Sequence, residues 1–94
     1  MAARIEYTAY ARRRLQERQI QEVWIEEIIA HGDHYHDLQS GREIAVGRRH
    51  YHGKERDIMI AFERVDNAMI VVTSSALKES QRQRRIQSGR WIPI

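Results

Sequence analysis

The sequence predicts an α+β protein, with two N-terminal helices packed on a four-stranded antiparallel sheet and a polar C-terminal helix or tail. Three observations favour this class. Apolar residues recur at helical spacing up to residue 30, and at a period near two from residue 33 to residue 74. The final segment, 77–94, is basic and has few apolar residues. A length of 94 residues suits one domain, 1–94, with this segment as its helix and tail.

Two helices are expected at 8–18 and 21–30, joined by a short turn. Thr8 is a residue type that favours the N-cap position, and apolar residues recur at every fourth position along one face. These positions are Tyr7, Ala11 and Leu15. The second helix has a wide apolar face and ends near Gly32. This face consists of Trp24, Ile25, Ile28 and Ile29.

Four consecutive antiparallel strands follow in the prediction. The segment 33–39 is a weak polar strand, and 43–51 is a second strand in which Gly47 is a candidate bulge. The segments 57–64 and 68–74 are apolar on both faces, so we expect them to be central in the sheet. Turns are predicted at Ser40-Gly41, at 52–55 and at Asp66-Asn67.

The segment after the last predicted strand has helical composition from residue 77 to residue 87. Only Leu77 and Ile86 are available to pack against the rest of the protein, and Ser88-Gly89 forms a stop signal. A helix this polar either lies flat on the sheet through its two apolar contacts or binds a partner.

Composition excludes several classes of function. The chain has no cysteine, which excludes disulfide frameworks, thiolate metal sites and cysteine nucleophiles. It contains no P-loop, GxGxxG, HExxH or GxSxG motif, and we therefore expect no cofactor. No apolar run approaches the roughly 20 residues that a membrane span needs. We expect a cytoplasmic protein that does not bind membranes.

The charge is unevenly distributed along the chain. The formal net charge of +3 results from basic ends, +3 for 1–20 and +4 for 77–94, around a middle of −4. Two basic ends predict contact with a polyanion if the fold brings them together. The alternative is that these charges are solvated helix faces.

Five histidines make a metal site conceivable. In strands, His34 and His36 would share a face, as would His50 and His52, and pairing through the Ser40-Gly41 turn would set His31 near His50. No second motif fixes a metal, and polar histidines on strands are more often solvated. We therefore predict no metal site.

The segment 48–52 could instead perform acid/base chemistry. Phosphodiester cleavage needs a base for the 2′-hydroxyl, a cation for the developing negative charge and an acid for the leaving oxygen. Arginine, histidine and tyrosine supply all three types within this segment, which makes His50 and His52 candidate catalytic residues. The alternative is an exposed edge strand protected by charge.

The basic ends supply candidate phosphate contacts. In the tail, Lys78, Arg82 and Arg85 recur at i, i+4 and i+7, which predicts a basic stripe for a phosphate or for a protein partner. Trp91 offers a stacking surface for a base. For Arg18 a structural role beside the glutamates of the second helix is favoured. The candidate phosphate-binding and RNA-binding residues are Arg14, Arg42, Arg49, Lys78, Arg82, Arg85 and Trp91.

The N-terminal segment carries a recognisable motif. Thr8, Ala11, Arg14, Arg18 and Ile20 match the pattern T-x-H-A-x-x-R-M-x-x-R-G-I, and the segment departs from it at Tyr10, Leu15 and Gln19. This segment resembles the opening of an uncharacterised bacterial family with a domain of unknown function (DUF). The segments 69–73, 78–85 and 88–91 are also similar to that family.

That family is similar in layout to the BrnT and RelE-type toxins, small ribonucleases that a cognate antitoxin neutralises. The resemblance implies a RelE-like fold. Tyr10 stands where the family has a histidine, which implies a role for Tyr10 as a proton donor or as a stacking group.

The first hypothesis is therefore a toxin-like RNA-binding protein, able to act as a metal-independent endoribonuclease of a toxin–antitoxin system. Its partners would be RNA, with or without the ribosome, or an antitoxin-like protein. The alternative hypothesis is a non-catalytic protein-interaction module that binds a protein partner or forms a homodimer.

Overall fold

The computed structural model describes residues 4–94, which form three helices and six strands. In chain order these are β1 Arg4–Tyr7, α1 Ala9–Glu17, α2 Glu22–His31, β2 Asp33–Asp37, β3 Glu43–Tyr51, β4 Lys54–Val65, β5 Ala68–Ala76, α3 Gln81–Gln87 and β6 Trp91–Pro93.

The strands form one mixed sheet in the order β1-β5-β4-β3-β2-β6. β1 runs parallel to β5, and the other neighbouring strands are antiparallel. The α+β class is correct, but the four-stranded antiparallel sheet with a RelE-like arrangement is wrong. The prediction missed β1 and β6, which are edge strands of four and three residues and are too short to show a period of two.

The two helices at the N-terminus follow from local signals. The side chain of Thr8 accepts a hydrogen bond from the backbone N–H of Ala11 at 3.0 Å, which confirms the predicted N-cap of α1. Between the helices, the Tyr51 hydroxyl donates to the carbonyl of Arg18 at 2.6 Å. Arg18 itself donates to the carbonyl of Ser74, so its role is structural, although its partner is β5 rather than α2.

α1 and α2 cover one face of the sheet, here called the first face. The apolar side chains between them and the sheet form the larger core cluster, in which the buried members are Ala11, Leu15, Ile20, Ile25, Ile28, Ile29, Ala45, Ile58, Ile60, Phe62 and Val71. Burial of these side chains supplies the main hydrophobic stabilisation of the fold.

Gly47 is not the predicted bulge. The β3–β4 pairing passes through Gly47 and Ile58 without a shift, and the irregularity lies between β4 and β5, at Ala61 and Phe62. A Cβ atom on Gly47 would lie 2.7 Å from Cγ1 of Ile28. Glycine is therefore required here because α2 packs closely against β3.

The opposite, second face of the sheet is covered by α3 and the C-terminal segment. A smaller core cluster lies here, with Ile86 of α3 packed against it. Its buried members are Tyr35, Ile44, Val46, Met59, Ala61, Leu77 and Trp91. The polar helix therefore lies on the sheet, and the segment after it continues as β6 rather than as an open tail.

None of the helices in the described range, 4–94, is long and apolar enough to cross a membrane.

Candidate functional site

A basic cleft opens where the β3–β4 hairpin meets the segment between β5 and α3. It has a volume of about 340 Å³. Its lining residues are Arg48, Lys54, Glu55, Arg56, Asp57, Leu77, Lys78, Glu79 and Ser80. A second depression of about 300 Å³ continues it along α3 and shares Arg48, Asp57 and Ser80 with it.

Backbone pairing holds the two walls of the basic cleft together. In the β3–β4 ladder, Arg48 lies opposite Asp57. The N–H of Leu77 donates to the carbonyl of Asp57 at 2.8 Å, and Nε of Arg56 donates to the carbonyl of Leu77 at 2.8 Å. These two bonds fix the start of the β5–α3 segment beside β4, so Lys78 lines the same cleft as the hairpin residues.

Cations outnumber carboxylates in the lining of the basic cleft. Asp57 is shared by two arginines, with Nη1 of Arg48 at 3.5 Å and Nη1 of Arg82 at 3.6 Å. Lys54 and Lys78 are exposed, and no ion pair within residues 4–94 involves either of them. The lining also contains the carboxylates of Glu55 and Glu79, so its four cations exceed its three carboxylates by one charge.

His50 is not in the lining of the basic cleft, but it lies next to two residues that are, Arg48 and Glu55. It lies two residues after Arg48 on β3, so the two side chains share the second face of the sheet. Glu55 is its partner across the hairpin, and Nδ1 of His50 lies 3.6 Å from Oε1 of Glu55. Both side chains are mostly exposed, at 69% and 60%. This arrangement leaves Nε2 on the other side of the imidazole ring, where it can exchange a proton.

His52 does not share the face of His50. It lies in the turn between β3 and β4, where His52 and Gly53 both have positive φ angles, 48° and 87°. Its ring packs edge-on against the Tyr51 ring, with centroids 4.1 Å apart. The predicted strand periodicity fails here because a two-residue turn with positive φ reverses the chain.

The remaining histidines lie elsewhere. His31 is the last residue of α2, and the β2–β3 register pairs Asp33 with Val46, so the predicted approach of His31 to His50 is wrong. His34 lies on the first face, opposite the side of the sheet that carries His50. Among residues 4–94, no three His, Asp or Glu side chains are grouped as a metal site would require.

His34 belongs to a charged cluster on the first face. Its Nδ1 lies 2.6 Å from Oε2 of Glu43, and its Nε2 lies 2.8 Å from the carbonyl of Ile29. Arg64 donates to both carboxylate oxygens of Glu43, at 2.8 and 3.0 Å. The hydrogen bonds from Arg64 are the main reason that the pKa of Glu43 is lowered; burial opposes this shift and the His34 bond supports it.

The predicted basic stripe of the tail does not form. Lys78 lies in the basic cleft before α3, whereas Arg82 and Arg85 turn toward the sheet. Burial alone would lower the pKa of Arg82, but its hydrogen bonds to Tyr35 and Asp33 outweigh that effect and raise it. Burial lowers the pKa of Arg85, whose guanidinium lies 5.0 Å from the centre of the Trp91 ring.

Trp91 does not offer a free ring face. Its side chain is buried, with 1% of the residue exposed. The ring stacks on Tyr35, with centroids 5.4 Å apart, and Arg85 lies over it as well. The predicted stacking of a base on Trp91 is therefore incompatible with this arrangement.

The other predicted phosphate contacts are dispersed. Arg49 donates to Glu27 of α2 at 3.1 Å, which places its charge on the first face. Arg42 donates to Glu63 at 3.0 Å, at the opposite end of β3 from the basic cleft. Both cations are therefore paired away from His50.

Tyr10 and Arg14 form a separate surface on α1. Nε of Arg14 donates to the Tyr10 hydroxyl at 3.0 Å, and this bond is the main reason that the pKa of Arg14 is raised. Nη1 of Arg14 also contacts Glu17 at 3.2 Å. Since α1 packs on the first face, this pair lies across the sheet from the basic cleft.

Two basic residues of the cleft, Lys54 and Arg56, were not considered as site residues from the sequence. Arg48 was part of the segment 48–52 proposed for acid/base chemistry, but it was not among the candidate phosphate-binding residues. Lys54 and Arg56 line the cleft because of the β3–β4 register and the path of the β5–α3 segment, and neither can be inferred from residue spacing.

The chain matches no family model, no curated protein and no solved structure.

Proposed function

We propose that the protein binds single-stranded RNA through the basic cleft. The observation that carries this proposal is the presence of Lys54, Lys78 and the exposed Arg48 in the lining of one cleft. Phosphate groups bind such cations by charge-assisted hydrogen bonds, and the arginine fork matches two phosphate oxygens at once.

A single strand fits this cleft better than a duplex. The cleft is short and lies between a hairpin and a segment before a helix, so it can hold a few consecutive phosphates of a flexible strand. Glu55 in its lining and His50 beside Glu55 are able to hydrogen bond with a ribose 2′-hydroxyl. These groups favour RNA over DNA as the ligand.

The salt dependence of RNA affinity tests this proposal. Three phosphate contacts on a single strand give a slope of about −2 in a plot of log affinity against log salt, which corresponds to a loss of about 20-fold between 50 and 200 mM salt. Fluorescence anisotropy with a short labelled RNA measures this slope. An affinity that does not respond to salt would contradict the proposal.

Matched double variants locate the contact. Arg48→Ala with Lys78→Ala removes two cleft cations and should flatten the slope by about 1.4. Arg12→Ala with Arg13→Ala removes the same charge from the exposed side of α1 and should leave the slope nearly unchanged. If the α1 variant flattened the salt slope more than the cleft variant did, RNA would bind at α1 rather than in the basic cleft.

A toxin-like role for this RNA binding is the first hypothesis from the sequence, and the six-stranded mixed sheet does not support the RelE-like layout on which it drew. In that role the protein acts in the cytoplasm, slows growth by binding RNA and is neutralised by an antitoxin-like protein that covers the basic cleft. Tightly induced expression in bacteria tests it. Slower growth with the parent protein and normal growth with the Arg48→Ala, Lys78→Ala variant are expected, whereas equal growth would contradict this role.

A second candidate function, self-association, has its own observation. Three large apolar side chains are exposed along the β2–β6 edge: Leu38 at 58%, Ile92 at 46% and Ile94 at 74%. Exposed apolar side chains that lie together are typical of protein contact surfaces. Sedimentation equilibrium tests whether a second copy binds there, since Ile92→Ser with Ile94→Ser should convert a dimer to a monomer. A parent protein that is monomeric at high concentration would exclude this candidate.

A further inference from the structure

We infer that His50 and Glu55 form a proton-transfer pair that cleaves RNA bound in the basic cleft. This inference rests on the proposed RNA binding and adds a reaction to it. The substrate class is RNA with a free 2′-hydroxyl, and the reaction is intramolecular transesterification of a phosphodiester.

The geometry that supports the pair is set by the β3–β4 hairpin. The ladder places His50 directly opposite Glu55, and Nδ1 of His50 faces Oε1 of Glu55 at 3.6 Å. At this distance the carboxylate attracts a protonated imidazole electrostatically without a hydrogen bond, and it leaves the other ring nitrogen free for substrate. Nε2 of His50 is that free nitrogen, and it lies on an exposed side chain beside Glu55 of the cleft lining.

The cation needed by the reaction is on the same strand face. Arg48 precedes His50 by two residues and lines the cleft, with its side chain 60% exposed. A phosphate held by Arg48 and Lys78 would therefore lie beside the imidazole of His50. Cations placed where negative charge develops stabilise the transition state of such reactions.

The reaction is balanced without a further reactant. Nε2 of His50 removes the proton of the 2′-hydroxyl, and the 2′ oxygen forms a bond to the adjacent phosphorus. The bond from phosphorus to the 5′ oxygen breaks, and that oxygen takes a proton from solvent. The products are a 2′,3′-cyclic phosphate and a 5′-hydroxyl. His50 then releases its proton to solvent, and Glu55 stabilises the imidazolium in the interval.

Glu55 acts as a positioning residue, and this role has a distinctive signature. Glu55→Gln removes a negative charge beside the RNA, so the electrostatic attraction for RNA increases and the affinity should rise about twofold to threefold. The same change removes the stabilising partner of the imidazolium, so kcat should fall about 10-fold or more. A purely structural role for the ion pair would not move affinity and kcat in opposite directions.

The experiment measures binding and cleavage on the same oligonucleotide, a DNA strand with one ribonucleotide, in buffer with EDTA. We expect the parent protein to cut at the ribonucleotide and to leave a 2′,3′-cyclic phosphate that mass spectrometry identifies. His50→Ala should lower kcat by about 100-fold or more and change Kd by less than about threefold. His36→Ala, which removes an exposed histidine from the other face, is the matched control and should cut like the parent protein.

The outcomes separate this inference from the proposed function. A parent protein that binds RNA with the expected salt slope and binds the strand with one ribonucleotide, but does not cut that strand, overturns the inference and leaves RNA binding intact. Unchanged cleavage by a folded His50→Ala variant, or cleavage of an all-DNA strand, also overturns it. A parent protein that does not bind RNA overturns both. Circular dichroism of each variant confirms that a lost activity is not a lost fold.

Discussion

The guanidinium group of Arg82 donates two hydrogen bonds to the Tyr35 hydroxyl, from Nε at 3.0 Å and from Nη2 at 2.7 Å. Arg82 also pairs with Asp33 and lies 3.6 Å from Asp57. These contacts join α3 to β2 and β4, which explains how so polar a helix remains on the sheet. They also hold in place the segment before α3, in which Lys78 lines the basic cleft.

Removal of the Arg82 charge should therefore destabilise the fold. Arg82→Met keeps the aliphatic stem but loses the hydrogen bonds to Tyr35 and Asp33, and the free energy of unfolding should fall by about 1–3 kcal/mol. Urea denaturation measures the change. Arg84→Met, on the exposed side of α3, is the matched control and should shift stability by less than about 0.5 kcal/mol. Equal urea midpoints for Arg82→Met and Arg84→Met would show that the Arg82 contacts do not stabilise the fold.

Gly47→Ala should destabilise the protein through a steric clash with α2. The added Cβ would lie 2.7 Å from Cγ1 of Ile28, inside the larger core cluster. Overpacking of this kind costs about 1–3 kcal/mol. Because Ile28→Ala removes Cγ1, the double variant should be less destabilised than the sum of the two single changes. Additive losses in urea denaturation would refute the clash.

Trp91 should matter for stability and not for RNA stacking. Its ring is buried between Tyr35 and Arg85, so Trp91→Ala should cost about 3–5 kcal/mol of unfolding free energy. Trp91→Phe keeps most of this packing and, at a temperature where the variant is folded, should bind RNA as the parent protein does. A clear loss of RNA affinity in folded Trp91→Phe would indicate that Trp91 contacts RNA and would contradict this prediction.

Glu43 should make stability depend on pH in the acid range. The pKa of Glu43 is lowered in the folded protein, mainly by the hydrogen bonds from Arg64, so the folded state binds this proton less readily than the unfolded state does. The stabilisation is therefore fully present above the ordinary glutamate pKa of about 4.3 and is lost as the pH falls through the lowered value.

Comparison with Glu43→Gln isolates this effect. The parent protein should be more stable than the variant at pH 7, and the difference should shrink as the pH falls below about 4. Denaturation with urea at several pH values measures it. Glu17→Gln, on exposed α1, is the control because its ion pair with Arg14 is on the surface. A difference that is constant with pH would contradict the role of Glu43.

The sequence allowed the interior of the fold to be predicted but not its edges. α1, α2 and the central strands show clear periods, and their positions agree with the prediction within a few residues. β1 and β6 could not be found because three or four residues carry no period and their pairing depends on the finished sheet. Pro93 in β6 also argues against a strand unless that strand lies at an edge, as it does.

The candidate site was predictable only in part, for a similar reason. His50 and Lys78 were identified from residue type and charge, but their approach to Arg48, Lys54 and Glu55 depends on strand register. The spacing of Arg82 and Arg85 predicted an exposed stripe. Their long side chains instead reach back to Tyr35 and Trp91, because the second face of the sheet has polar and aromatic partners for them.

The most direct test of the account is a titration of the isotopically labelled protein with a short single-stranded RNA, followed residue by residue by NMR. RNA binding in the basic cleft predicts amide shifts that saturate at Arg48, Lys54 and Lys78 and that are absent at Ile92. Shifts at the β6 edge without shifts in the basic cleft, or no shifts at low salt, would contradict it.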